Sequence, residues 1–224
     1  MDEIRLIEIK EDILSDNAAL ASSLRERLKE KKTYLLNLMS SPGAGKTSLI
    51  IRTIQGLKDR FRIGVLEADI DSIVDSEKVA AQGARAVQLK TGGFCHLDAA
   101  MVNAGLAAFD LSDFDLIIIE NVGNLVCPAE FDTGSIRNAM ILSVPEGDDK
   151  PLKYPLMFSV CSVLLVNKTD YLGLSDFDMQ ALKERVKKLN PEIRIIEVSC
   201  KTGEGIDAWT KWLSDEISEF IKQV

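Results

Sequence analysis

The chain has 224 residues, 46% of them hydrophobic and 28% charged, with a net charge of −8. Such a composition supports one large α/β domain, or one domain with an N-terminal extension. The acidic balance disfavours a general nucleic-acid role, because phosphate backbones bind basic surfaces. Cys95, Cys127, Cys161 and Cys200 are widely and irregularly spaced and follow no secretory leader. That argues for a reducing cytoplasm and for free or metal-bound thiols. No apolar run approaches the ~18 residues that would span a bilayer.

In chain order, residues 1–32 read as an N-terminal extension and 33–224 as the main domain. Ile4 to Ile9 suit a short edge strand or hairpin arm. Asp16 to Leu28 reads as an amphipathic helix with a basic tail of Arg25, Arg27, Lys29, Lys31 and Lys32. Beyond Thr33, apolar strands alternate with helical segments, the pattern of a parallel sheet covered on both faces. Strands are expected near 34–40, 62–69, 85–90, 115–121, 137–144, 162–167 and 193–198. Helices are expected near 46–59, 73–83, 95–108, 175–189 and 205–222. The fold class is a three-layer P-loop NTPase fold, with a mostly parallel seven-stranded sheet and helices on both faces. Ligands of such sheets gather at the carboxyl ends of the strands.

The first strand ends in Ser40-Ser41-Pro42-Gly43-Ala44-Gly45-Lys46-Thr47-Ser48. This is a strand, a phosphate-wrapping loop and a helix start, where successive N–H groups and the helix N-terminus attract an anion. Lys46 reaches towards the β/γ-phosphates as a point charge, and the Thr47 hydroxyl suits a Mg²⁺ shared with the nucleotide. The strict pattern has glycine where Ser40 stands, but the glycines nearest the phosphates, Gly43 and Gly45, are present.

Asp69 closes the second strand, where it suits Mg²⁺ held through water or orientation of a water. Asp71 and Asp75 in the next segment are weaker candidates, with Asp75 also assigned to Mg²⁺. Glu120 closes Leu116-Ile117-Ile118-Ile119, and a carboxylate there holds Mg²⁺ through water or orients the attacking water. Gly123 could hinge towards the γ-phosphate. Lys46, Asp69 and Glu120 are thus the candidate catalytic residues. In Asn167-Lys168-Thr169-Asp170, Asp170 can accept both hydrogens on the Watson–Crick edge of guanine, which adenine lacks. Asn167 would brace the loop, and the Lys168 stem would cover the base. Ser199-Cys200-Lys201 fits the companion guanine loop. These motifs, in this order, resemble the P-loop GTPases.

The sole histidine, His96, follows Cys95, and Cys127 lies seven positions beyond Glu120. Both loops follow sheet strands, so Cys95, His96 and Cys127 can converge. Thiolate and imidazole suit Zn²⁺ and Ni²⁺ alike. Three ligands leave a tetrahedral site to be finished by water or by a second protomer. Cys161 reads as core.

Over residues 17–222 the chain resembles the HypB family, GTPases that assist nickel insertion into [NiFe]-hydrogenases. The resemblance rests on Ser40 to Thr47, Cys95-His96-Leu97-Asp98-Ala99, Glu120 to Pro128, Pro151-Leu152-Lys153-Tyr154-Pro155 and Asn167 to Asp170. It implies GTP/GDP and Mg²⁺ as ligands, slow GTP hydrolysis, and Zn²⁺ or Ni²⁺ on Cys95, His96 and Cys127. It also implies a homodimer promoted by GTP with that metal site at its interface. The partners it implies are a HypA-type nickel chaperone, docking on the N-terminal region, and a hydrogenase large-subunit precursor. Lys153 is a candidate for reaching a partner protomer's nucleotide. The chain lacks the N-terminal cysteine motif or histidine tract with which some members store nickel. Two other readings are a dimeric scaffold with structural zinc and a GTPase chaperone for a cobalamin-dependent mutase. A MinD-like ATPase fits least, because Asp170 points to guanine.

Overall fold

The computed structural model describes residues 9–69 and 79–223. The described residues form seven strands: β1 Tyr34–Ser40, β2 Ile63–Asp69, β3 Arg85–Lys90, β4 Leu116–Glu120, β5 Arg137–Ser143, β6 Val163–Asn167 and β7 Arg194–Glu197. They join in one sheet of order β3-β2-β4-β1-β5-β6-β7. Every pairing is parallel, so the sheet is wholly rather than mostly parallel. Parallel neighbours need crossover helices, which cover both faces. The main helices are α1 Ile9–Lys31, α2 Lys46–Leu57, α3 Ala99–Leu106, α4 Met179–Leu189 and α5 Ile206–Gln223.

Alternation along β1 assigns the two faces. Leu36 and Leu38 pack with Ile50 and Ile54 of α2 and with Trp209 and Leu213 of α5. Leu35 joins Leu24 and Leu28 of α1 and Val102 and Leu106 of α3, whereas Met39 meets Leu182 and Val186 of α4. Successive strand side chains point to opposite faces, so a run apolar at every position is what a doubly covered strand requires.

The expected strands coincide with the observed ones to within a residue or two. Two helices start later than expected. The α3 helix begins at Ala99 because the Asp98 carboxylate accepts from the Met101 N–H at 2.8 Å. In the same way Asp178 accepts from Ala181 N–H at 2.9 Å and starts α4. Aspartate suits this capping position, since it satisfies one of the free N–H groups of the first turn. Cys95 and His96 therefore lie in a loop, ahead of the helix. The edge strand expected at Ile4 to Ile9 falls outside the described residues except for Ile9, where α1 starts. The helix expected near 73–83 falls largely outside them too, as do Asp71 and Asp75. Cys161 is buried as expected, but it precedes β6.

Candidate functional site

The phosphate loop leaves β1 at Ser40 and enters α2 at Lys46. Gly43 and Gly45 have φ of 76° and 107°, a region that L side chains rarely adopt. Ser40 is tied into this loop. Its Oγ accepts from Lys46 Nζ at 3.1 Å and donates to the Ser41 carbonyl at 2.7 Å. Thr47 Oγ1 donates to Glu120 Oε1 at 2.9 Å, so the two residues expected to meet Mg²⁺ already touch. A hydroxyl and a carboxylate are hard oxygen donors, the chemistry this cation prefers. Asp69 ends β2 on the same edge of the sheet.

The loop Asn167 to Asp170 packs directly onto the loop that leaves β1. Asn167 Nδ2 donates to the Ala44 carbonyl at 2.9 Å, and Asn167 Oδ1 accepts from the Cys200 N–H at 3.2 Å. Lys168, at φ 61°, donates from Nζ to the Gly43 carbonyl at 2.8 Å. Ser199 Oγ donates to Asp170 Oδ1 at 2.7 Å, and Lys201 Nζ lies 3.8 Å from Asp170 Oδ2. A cavity lined by Gly45, Ser48, Asn167, Asp170, Tyr171 and Cys200 sits between the two loops. Burial pushes the Cys200 thiol up to about 11, so it stays protonated and neutral beside this cavity.

Cys95, His96 and Cys127 converge as expected. One ligand atom from each lies within 4.8 Å of the others. The Cys95 and Cys127 sulfurs are 3.0 Å apart, and Cys95 Sγ is 3.9 Å from His96 Nδ1. The His96 ring stacks on Phe131 at 3.9 Å between centroids. Burial lowers the His96 pKa, against the opposing pull of Asp98 and Glu130, and favours the neutral imidazole that a metal needs. The nearby Cys95 thiol, followed by burial, raises that of Cys127. Two thiols and an imidazole suit a borderline or soft cation, and they leave a tetrahedral ion one position short.

Several contributors carry no motif. Glu67 is buried in β2, in register with Glu120 across the β2–β4 pair. A glutamate interrupting the apolar run Ile63 to Ala68 was the available signal. Glu146 accepts from the Ser41 hydroxyl with one carboxylate oxygen and from Ser143 N–H and Oγ, each at 2.7 Å, with the other. Nothing local to Pro145-Glu146-Gly147 points to the phosphate loop. Asn121 donates to Asn37 and Asn37 to Asn138, each at 3.0 Å, a chain of amides crossing β4, β1 and β5. It pins the point where the Cys127 loop leaves the sheet.

A Gly-rich strand-to-helix loop braced by the Asn167-Lys168-Thr169-Asp170 loop at the carboxyl edge of a parallel sheet defines the class of this protein: it is a P-loop GTPase. The chain belongs to the CobW/HypB/UreG nucleotide-binding domain family, whose model matches residues 34–197. It is 44% identical over 216 residues to the hydrogenase maturation factor HypB of Escherichia coli K12, covering 96% of this chain and 74% of that protein. Against HypB of Azotobacter vinelandii it is 46% identical over 213 residues, covering 95% and 70%. Among solved structures, HypB from Helicobacter pylori in complex with nickel superposes with a TM-score of 0.87 at 36% identity, covering 91% of this chain and 96% of that one. HypB from Archaeoglobus fulgidus gives 0.85 at 40% identity, covering 91% and 100%. The signal recognition particle receptor FtsY of Elizabethkingia anophelis, at 15% identity and a TM-score of 0.51, shares the fold alone. No helix among the described residues is long and apolar enough to cross a membrane.

Proposed function

We propose that this GTPase is a nickel chaperone for [NiFe]-hydrogenase maturation, with Ni²⁺ carried as cargo on Cys95, His96 and Cys127. The observation that carries the reading is the attachment of the Cys127 loop to the phosphate loop. Asn124 N–H donates to the Ser40 carbonyl at 2.9 Å, and Asn124 Oδ1 accepts from Val126 N–H at 2.8 Å, next to Cys127. The Asn124 amide also reaches the Cys95 carbonyl at 3.4 Å. One residue thus touches the phosphate loop and both metal loops. A relative whose crystal structure is a complex with nickel supports the choice of cargo. Zn²⁺ fits the same donors.

Thr47 and Glu120, with Asp69 and Asp75, would hold Mg²⁺, which would neutralise charge on the phosphates. Lys46 positions the phosphates and Glu120 orients the attacking water. Asp170, with Asn167, Lys168 and the Ser199 to Lys201 loop, selects guanine. Hydrolysis is slow, on the order of 10⁻³ s⁻¹, as in GTPases without a supplied arginine finger.

GTP promotes a homodimer, and the second protomer completes the metal site. The exposed apolar residues Phe94, Val126, Leu152 and Leu156 suit such a face. Lys153 serves the facing nucleotide, the N-terminal segment docks a HypA-type chaperone, and the hydrogenase large-subunit precursor receives the metal. The test is Ni²⁺ titration of the GDP form and of a form loaded with a non-hydrolysable GTP analogue. A difference in affinity or stoichiometry is expected, and identical values overturn the coupling. A scaffold with structural zinc would show no metal- or partner-dependent GTP turnover. A mutase chaperone would keep its function after replacement of Cys95 and Cys127.

A further inference from the structure

The three side chains of the metal cluster come from two loops, and both loops are fastened to the same helix. In α1, Ala21, Leu24 and Leu28 are buried along one stripe, and Asn17, one turn earlier, heads it. Asn17 Oδ1 accepts from the Ala99 N–H at 2.8 Å, just past His96. Its Nδ2 donates to the Asp132 carbonyl at 2.9 Å, just past Phe131, the ring on which His96 stacks. A single amide therefore spans the end of the Cys95-His96 loop and the end of the Cys127 loop.

The attachment continues along the helix. Arg25 donates from Nε to the Ser135 carbonyl at 2.9 Å and pairs with the Asp132 carboxylate. At Gly134, φ is 74° and an added Cβ would lie 2.7 Å from Leu24 Cδ2, so the loop passes against α1 where only glycine fits. The Ala99 N–H belongs to the first turn of α3, where free N–H groups need a partner. A role confined to satisfying that N–H would require only the acceptor half of the amide. The donor half is committed to the other loop.

We propose that Asn17 is a positioning residue of the metal centre, and that α1 acts through it to set the spacing between the two ligand loops. This rests on reading Cys95, His96 and Cys127 as metal ligands. A load applied to α1 ahead of Asn17 then acts on both loops at once, which gives a docking partner a mechanical route to the metal.

The full chain is titrated with Co²⁺, whose thiolate charge-transfer and d–d absorption report ligand number and geometry, in the wild type and in Asn17→Ala, Asn17→Asp and Cys127→Ser. Residues that orient metal ligands typically contribute 10–100-fold to affinity. Asn17→Ala is expected to weaken Co²⁺ by about tenfold and to alter the d–d bands, with GDP affinity within about twofold of wild type. Asn17→Asp keeps the acceptor for Ala99 but sets a carboxylate oxygen against the Asp132 carbonyl, so it should weaken Co²⁺ at least as much as alanine, and it remains informative if the alanine variant folds poorly. A lowered melting temperature with unchanged Co²⁺ affinity and spectrum makes Asn17 merely structural and overturns the proposal. Failure of the wild type to bind Co²⁺, or equal binding by Cys127→Ser, instead overturns the metal reading, and this inference falls with it.

Discussion

The backbone N–H of Asn124 donates to the carbonyl oxygen of Ser40 at 2.9 Å, joining the cysteine-bearing loop to the first residue of the phosphate loop. The contact is backbone to backbone, so side-chain substitution at either residue leaves it in place. The preceding residue makes it possible. An added Cβ at Gly123 would lie 3.0 Å from Pro42 N and 3.1 Å from Pro42 Cα, atoms that cannot swing away.

Gly123→Ala should therefore push the two loops apart. Forcing a methyl into a packed contact costs about 1–3 kcal/mol, or roughly 5- to 150-fold in an equilibrium constant. Both GDP affinity and Ni²⁺ affinity are expected to fall, measured by fluorescent-nucleotide titration and calorimetry. A loss confined to nucleotide binding would show that the loops move independently.

Gly45→Ala should be more severe and confined to the nucleotide. At φ 107° an L side chain is strained, and its Cβ would overlap Asn167 Nδ2. Displacing Asn167 removes its bonds to both the Ala44 carbonyl and the Cys200 N–H, so phosphate and base loops loosen together. GDP binding should weaken by more than about 100-fold, in line with several kcal/mol from strain and lost buried hydrogen bonds. Far-ultraviolet circular dichroism should stay unchanged.

Asp170→Asn tests the base reader. The Asp170 side chain is 15% exposed, and Ser199 and Lys201 hold it in place. An asparagine presents an N–H to the guanine amino group and leaves donor facing donor. GTP affinity is expected to fall by about 10⁴-fold, on the scale by which a site built to hydrogen-bond one group rejects a mismatched one. Xanthosine nucleotides, which carry an oxygen at that position, should bind better than to the wild type. Competition assays with both nucleotides measure the switch.

Asp148 makes one acid-sensitive contribution to stability. The Asp178 N–H at 2.9 Å, and then Arg185, hold its carboxyl below the ordinary value against the opposing effect of burial. The folded state thus binds fewer protons here than the unfolded one. The stabilisation is present above the unfolded pKa of ~3.9 and is lost as pH falls through the depressed folded value. Asp148→Asn should cost about 1 kcal/mol at pH 7, a melting shift of roughly 2–4 °C for a chain of this size. The gap should narrow below about pH 4. A gap that widens on acidification would contradict this sign.

Much of the architecture was legible because its signals are local. The central strands β4 and β6 run apolar until their last residue and β1 carries only Asn37 within its apolar run, which a doubly covered parallel sheet demands, and the strand limits agree with the expectation. The late starts of α3 and α4 were also readable at Asp98 and Asp178, whose carboxylates compete with the helical pattern for the first turn. Ser40 reads as a defect in the phosphate-loop pattern, yet its hydroxyl is where Lys46 rests.

The Gly-rich loop after β1, the Asn-Lys-Thr-Asp loop and the acids closing β2 and β4 could be located from the chain alone, since each is a contiguous stretch whose chemistry follows from neighbouring residues. What they touch depends on how the chain assembles. Strand order places β2 between the strands that launch the Cys95 and Cys127 loops, and register sets Glu67 beside Glu120. Crossover folding carries Glu146 to Ser41 and Asn17 to Ala99 and Asp132. Hydrophobic patterning encodes which side chains are buried and on which face. It carries no record of strand order, so contacts between distant polar residues form only when the sheet is assembled.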